Sequence, residues 1–189
     1  MYAFVPAHGD SRVGAVQEHL GRTWSEDFGL AVLLVDFVPE SAGEWGDPMI
    51  RRDGSLDRCS FCGTDASALR KMIASVESNY DVICVNLTGA LEPAGTAILN
   101  MAHSVFLVSD SARPSLEMAG ATIARLRRFK LEDRIALLLR RTNGGLRPDL
   151  AEDLVGAPVC GLVETSEQMG RLARWLAQPQ PSYTATLSA

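Results

Sequence analysis

The sequence predicts an α/β fold: a single domain built on a mostly parallel sheet with helices on both faces. Three observations carry this. Short apolar runs of four to six residues recur along the chain, and most do not alternate with polar residues, as expected of strands buried on both faces. Segments with apolar residues at helical spacing lie between them. The resulting order is strand, helix, strand, helix, with no Gly- or Pro-rich break dividing the chain and no internal repeat.

The predicted strands are 2–5, 31–36, 81–86, 104–109, 135–139 and 159–162. Leu69, Met72, Ile73 and Val76 follow the i, i+3, i+4, i+7 rule, and so do Leu116, Ala119, Ile123 and Leu126 after a start signal at Pro114. Met169, Leu172 and Leu176 mark a last helix. Residues 41–63 are rich in Gly and charge and read as a long loop. From residue 178 the chain is polar and contains proline, so the domain is expected over 1–177 and a loose tail over 178–189.

Composition sets the class of partner. The chain has 189 residues, 47% apolar and 22% charged, enough for one sizeable core and too apolar for a disordered chain. Eighteen Lys and Arg against twenty-three Asp and Glu give a net charge of −5, which argues against nucleic acid covering the whole surface. Apolar runs stop well short of the ~20 residues that span a bilayer. The first residues carry no basic stretch of the kind that opens a signal peptide. A cytoplasmic protein is expected, peripheral at the membrane or cell pole if it binds there.

Ligands of open α/β sheets bind beyond the C-terminal strand ends. The polar residues at those positions are 9–14, Asp36, Asn86, Asp110 and Arg140. Two further features stand apart. Cys59 and Cys62 form a lone C-x-x-C, half of a structural metal site, with a redox pair and ordinary loop thiols as the other readings. Cys84 and Cys160 lie in apolar runs and read as buried. Eight of the eighteen basic residues fall within 125–147: Arg125, Arg127, Arg128, Lys130, Arg134, Arg140, Arg141 and Arg147. Glu132 and Asp133 are the only acids among them, so this stretch carries +6 and the rest of the chain −11. Such a basic patch would meet DNA, anionic lipid or an acidic protein, or form a solvated helix face.

These residues together resemble the ParA/MinD family of deviant P-loop ATPases, over nearly the whole chain. The strand YAFVP leads into His8-Gly9-Asp10-Ser11-Arg12-Val13-Gly14-Ala15, where the family has K-G-G-V-G-K-T-T, and Leu20 falls at the family's helix leucine. Asp36-Phe37-Val38-Pro39 resembles the family's D-x-D-P, and Tyr80 to Gly89 its Y-D-x-(V/I)-I-x-D-x-P-x-G. The segment SVFLVSDSARPSLEMAG and the strand IALLLRR match two later segments. The resemblance implies a P-loop fold in which His8, Gly9, Asp10, Ser11, Arg12, Val13, Gly14, Asp36, Asn86 and Arg140 occupy nucleotide-site positions.

The chemistry departs from that pattern. Val13 stands at the phosphate lysine, Gly14 at the magnesium-binding hydroxyl, Val38 at the second aspartate of D-x-D, Asn86 at the metal-supporting aspartate, and Arg140 at the adenine-contacting asparagine. A P-loop needs its lysine and hydroxyl to hold phosphate and Mg²⁺. The expectation is therefore a non-hydrolysing relative with no cofactor and no catalytic residues, acting as a positioning or scaffolding factor. Its partners would be proteins, including secretion or pilus machinery, or a second copy. The Phe4-Val5-Pro6-Ala7 opening resembles the TadZ/CpaE branch, whose members localise Tad-type pilus machinery at a cell pole. The alternatives are an ATP/ADP–Mg-binding switch with an atypical loop, and a DNA- or membrane-binding regulator using 125–147.

Overall fold

The apolar runs become the middle of an eight-stranded sheet. The computed structural model describes residues 1–8, 12–38, 49–62, 65–88 and 93–178. In chain order the elements are β1 (Tyr2–Pro6), α1 (Val13–Phe28), β2 (Val32–Val38), β3 (Arg51–Asp53), β4 (Leu56–Cys62), α2 (Ala66–Val76), β5 (Val82–Leu87), α3 (Pro93–Met101), β6 (Ser104–Asp110), α4 (Arg113–Arg127), β7 (Ile135–Arg140), α5 (Pro148–Val155), β8 (Val159–Leu162) and α6 (Ser166–Leu176). The strands lie in the order β3-β4-β2-β5-β1-β6-β7-β8. Every pairing is parallel except β3 with β4.

Handedness distributes the helices. The α1 crossover carries the chain from β1 one way across the sheet, towards β2, and the α2 to α5 crossovers all carry it the other way. Right-handed crossovers then require α1 and α2–α5 to lie on opposite faces, and the packing agrees. Phe4, Leu34, Cys84, Phe106 and Leu138 face α1 and α6 through Leu20, Trp24 and Leu172. Their strand neighbours Ala3, Val35, Val85, Leu107 and Leu139 face the other four helices through Leu69, Ile98, Leu116 and Val155. Period-2 alternation inside uniformly apolar strands builds both cores at once.

The long loop expected over 41–63 is corrected by the structure from residue 51 to 62. Leu56–Cys62 is a strand paired in parallel with β2, from Leu33↔Asp57 to Val38↔Cys62, and β3 folds back on it through the two-residue turn Gly54-Ser55. Gly54 has φ 65°, the left-handed conformation such turns favour. Charge concealed the strand: Asp57 and Arg58 sit near the sheet edge, where half-buried positions tolerate ions. Leu56, Cys59 and Phe61 are buried, while β3 presents exposed charges along the open edge. Two short helices, α3 and α5, were not among the predicted elements. Residues 41–48 and the tail beyond 178 lie outside the described residues.

Candidate functional site

The crossover that reverses direction after β1 opens a crevice at the C-terminal strand ends, where open α/β sheets place their ligands. Helix α1 starts there. Its N-cap, Arg12, has φ 54° and ψ 36° and makes no side-chain cap. Its carbonyl accepts hydrogen bonds from Ala15 (3.1 Å) and Val16 (3.2 Å). Arginine thus holds a left-handed conformation that glycine adopts without steric cost. Val13, the first helical residue, is 5% exposed and packs in the core beneath α1. Gly14 follows; a Cβ there would approach nothing nearer than the Asn86 amide, at 4.0 Å. Gly9, Asp10 and Ser11 lie outside the described residues.

Asp36 and Asn86 are register partners at the ends of β2 and β5. The Asn86 amide donates to the Asp36 carboxylate at 3.1 Å. One helical turn into α1, the fully buried Gln17 donates to the Cys84 carbonyl at 2.6 Å and reaches the Val35 carbonyl at 3.5 Å, fastening α1 over β5 and β2. Nothing in the hydrophobic pattern singles Gln17 out, because it occupies a core-facing helical position as a polar residue.

On the other side of β1, Asp110 ends β6 and is 9% exposed. One carboxylate oxygen accepts from the Ala112 N–H at 3.0 Å, at the start of α4. The other lies 3.2 Å from His8 Nε2 and 3.9 Å from Arg140 Nη2. The ends of β1, β6 and β7 are therefore joined through one carboxylate. Beside it, Ser111 Oγ accepts from the Thr142 N–H at 2.9 Å and lies 3.1 Å from Thr142 Oγ1. A Cβ on Gly145 would fall 1.9 Å from Ser111 Oγ, so only glycine fits this turn. Ser111, Thr142, Asn143, Gly144 and Asp149 help line a polar recess of about 540 Å³. The Gly144-Gly145 pair was the available sequence signal for that turn.

Cys59 and Cys62 are not drawn together. Both lie in β4, with Cys59 opposite Val35 and Cys62 opposite Val38. Three residues of strand rise separate their Cα atoms by roughly 10 Å, beyond the ~7 Å limit of a disulfide and wider than a C-x-x-C metal knuckle. Cys59 is buried, and burial, helped by the nearby Asp36 charge, raises its thiol pKa. Burial also pushes Cys160 up to about 12. No group of three or more metal-ligating side chains occurs among the described residues.

The basic stretch is divided between the two ends of the sheet. Helix α4 runs back towards the N-terminal strand ends and leaves Arg125, Arg127, Arg128, Lys130 and Arg134 there. Strand β7 then carries Arg140, Arg141 and Arg147 to the opposite end. Two members have structural partners at helix C-termini. Arg127 donates to the Gly156 carbonyl after α5, and Arg134 to the carbonyls of Asn100 (3.3 Å) and Ala102 (3.1 Å) at the end of α3. Arg147 pairs with Asp149 at 2.6 Å. Arg125, Arg128 and Lys130 remain as exposed cations of one cluster.

No protein-family model and no curated protein matches the sequence. Solved structures do match. A ParA family ATPase from Chlorobium tepidum TLS superposes with a TM-score of 0.74 at 18% identity, covering 98% of this chain and 95% of that one. The MinD cell division protein of Aquifex aeolicus gives 0.75 at 15% identity, covering 96% and 99%. A putative plasmid partition protein from Borrelia burgdorferi B31, bound to AMPPNP, gives 0.71 at 12% identity, covering 93% and 96%. The eight-stranded, mostly parallel sheet with its six helices thus matches the ParA/MinD P-loop fold.

Proposed function

We propose that this chain is a non-hydrolysing relative of the ParA/MinD positioning ATPases, acting as a scaffold that holds a protein assembly in place. The observation that carries the proposal is the start of α1. The residue at the phosphate-lysine position, Val13, is 5% exposed and belongs to the apolar core, and the next residue has no side chain. The rest of the crevice supports the same reading. The Asp36 carboxylate is engaged by an amide, and the Asp110 carboxylate, placed between His8 and Arg140, would repel a phosphate. The positions at which the motif carries its lysine and its magnesium-binding hydroxyl are Val13 and Gly14, so a magnesium nucleotide finds neither group there and these residues do not fit it. What supports a Tad-type pilus setting is the Phe4-Val5-Pro6-Ala7 opening and the eroded loop after it.

The test is thermal unfolding with excess ATP or ADP, with and without Mg²⁺. A ligand present at a hundred times its Kd stabilises by about 2.7 kcal/mol, which in a chain of this size raises Tm by roughly 5–10 °C. The expected outcome is no shift at millimolar nucleotide. A magnesium-dependent rise of that order would overturn the proposal and make residues 8–14 a working nucleotide loop.

A further inference from the structure

We propose that a second copy of this chain docks on the outer face of α4, forming a two-fold dimer that needs no nucleotide. Leu116, Ala119, Ile123 and Leu126 turn α4 towards the sheet, so Ala121 points directly away from it. Around Ala121 the exposed residues are Glu117, Met118, Ala124 and Arg125. Met118 is 50% exposed, and Leu150 and Leu154 on the adjoining α5 are 48% and 37% exposed. α5 packs against α4 at Gly120, where a Cβ would lie in ordinary contact, 3.6 Å, with the Leu154 carbonyl oxygen. The leucines therefore extend the apolar face of α4.

The face is complementary to itself. A two-fold axis through Ala121 sets α4 antiparallel to its copy, and reflecting the helix sequence about that residue exchanges Glu117 with Arg125 and Met118 with Ala124. Each Glu117 then meets an Arg125, each large Met118 covers a small Ala124, and the two Ala121 side chains let the helices come close at the axis. Such an isologous contact satisfies both halves with one set of residues. Within one chain Glu117 and Arg125 are about 12 Å apart along the helix and do not pair. Arg125 has no ion-pair partner among the described residues, and Glu117 has only a loose exposed contact, 3.9 Å, with Arg113. The face lies along one flat side of the sheet, away from the crevice at the strand ends, so the proposal stands or falls independently of the nucleotide reading.

Sedimentation velocity of the full chain without nucleotide, from micromolar to hundreds of micromolar, should show a monomer–dimer equilibrium. Ala121→Glu brings like charges together at the axis and should raise the dimer Kd at least about tenfold, with circular dichroism and Tm unchanged. Glu117→Arg and Arg125→Glu should each weaken it about three- to tenfold, and the double reversal should restore it to within about twofold. A chain monomeric throughout overturns the proposal. So does a dimer that survives Ala121→Glu, or a double reversal no tighter than the single ones.

Discussion

Arg12 holds a backbone conformation that suits glycine better than arginine. At φ 54° a side chain crowds its own carbonyl, at a cost of about 1–2 kcal/mol that glycine does not incur. Some of that is returned through glycine's greater freedom in the unfolded chain. Arg12→Gly is therefore expected to stabilise the fold by about 0.5–1 kcal/mol, read as a Tm rise of roughly 1–4 °C. No change, or a fall, would mean that the Arg12 side chain contributes more than its backbone conformation costs. The sequence identified Arg12 as standing at a glycine of the resembling motif. That its backbone is left-handed there is visible only in the dihedral angles. Asp110 is a similar case. It was legible as one polar residue at a strand end, whereas its links to His8 and Arg140 depend on three strands that lie far apart in sequence.

At the scale of elements, the β3–β4 hairpin extends the sheet beyond what periodicity indicates, and side chains fasten it to its neighbours. Arg58 of β4 bonds Asp53 and Glu18, the latter on α1. Burial alone would raise the Glu18 carboxyl pKa, but hydrogen bonds from Arg22 and Arg58 outweigh it and lower the value. The Tyr80 hydroxyl, just before β5, donates to Asp57 of β4 at 2.9 Å. Burial first, then that bond and the Asp57 charge, push the Tyr80 phenol up to about 12. A folded pKa above the unfolded value of about 10 contributes stability that is complete below pH ~10 and is lost as pH rises towards 12. Absorbance titration at alkaline pH should find a tyrosine ionising near the upper end of that window. In Asp57→Asn the same group should ionise closer to 10. An unchanged titration in the variant would show that Asp57 does not hold this phenol.

Across the whole molecule, the two cores share one sheet, and α6 closes the one beneath α1. Trp24 is the joint. It is 1% exposed, its indole N–H donates to the Ala173 carbonyl at 2.9 Å, and its ring stacks on Tyr2 at 5.5 Å. Trp24→Ala should cost about 3–5 kcal/mol. Trp24→Phe should cost less, since it keeps most of the ring volume and gives up the hydrogen bond. Urea unfolding followed by circular dichroism would measure both. Near-equal losses would show that ring packing contributes little beside the bond to Ala173.

The sequence by itself determined the fold class, six of the eight strands and both core patterns. Those properties are local: they reside in apolar runs, helical spacing and residue identity at fixed positions. Tertiary structure decided the rest. It turned a charged segment into edge strands, divided one basic stretch between opposite ends of the sheet, held Cys59 and Cys62 apart in extended backbone, and joined His8, Asp110 and Arg140 around one carboxylate. Each of these depends on which strands become neighbours. Local periodicity carries no information about that order; the right-handed crossovers and the sheet they build supply it.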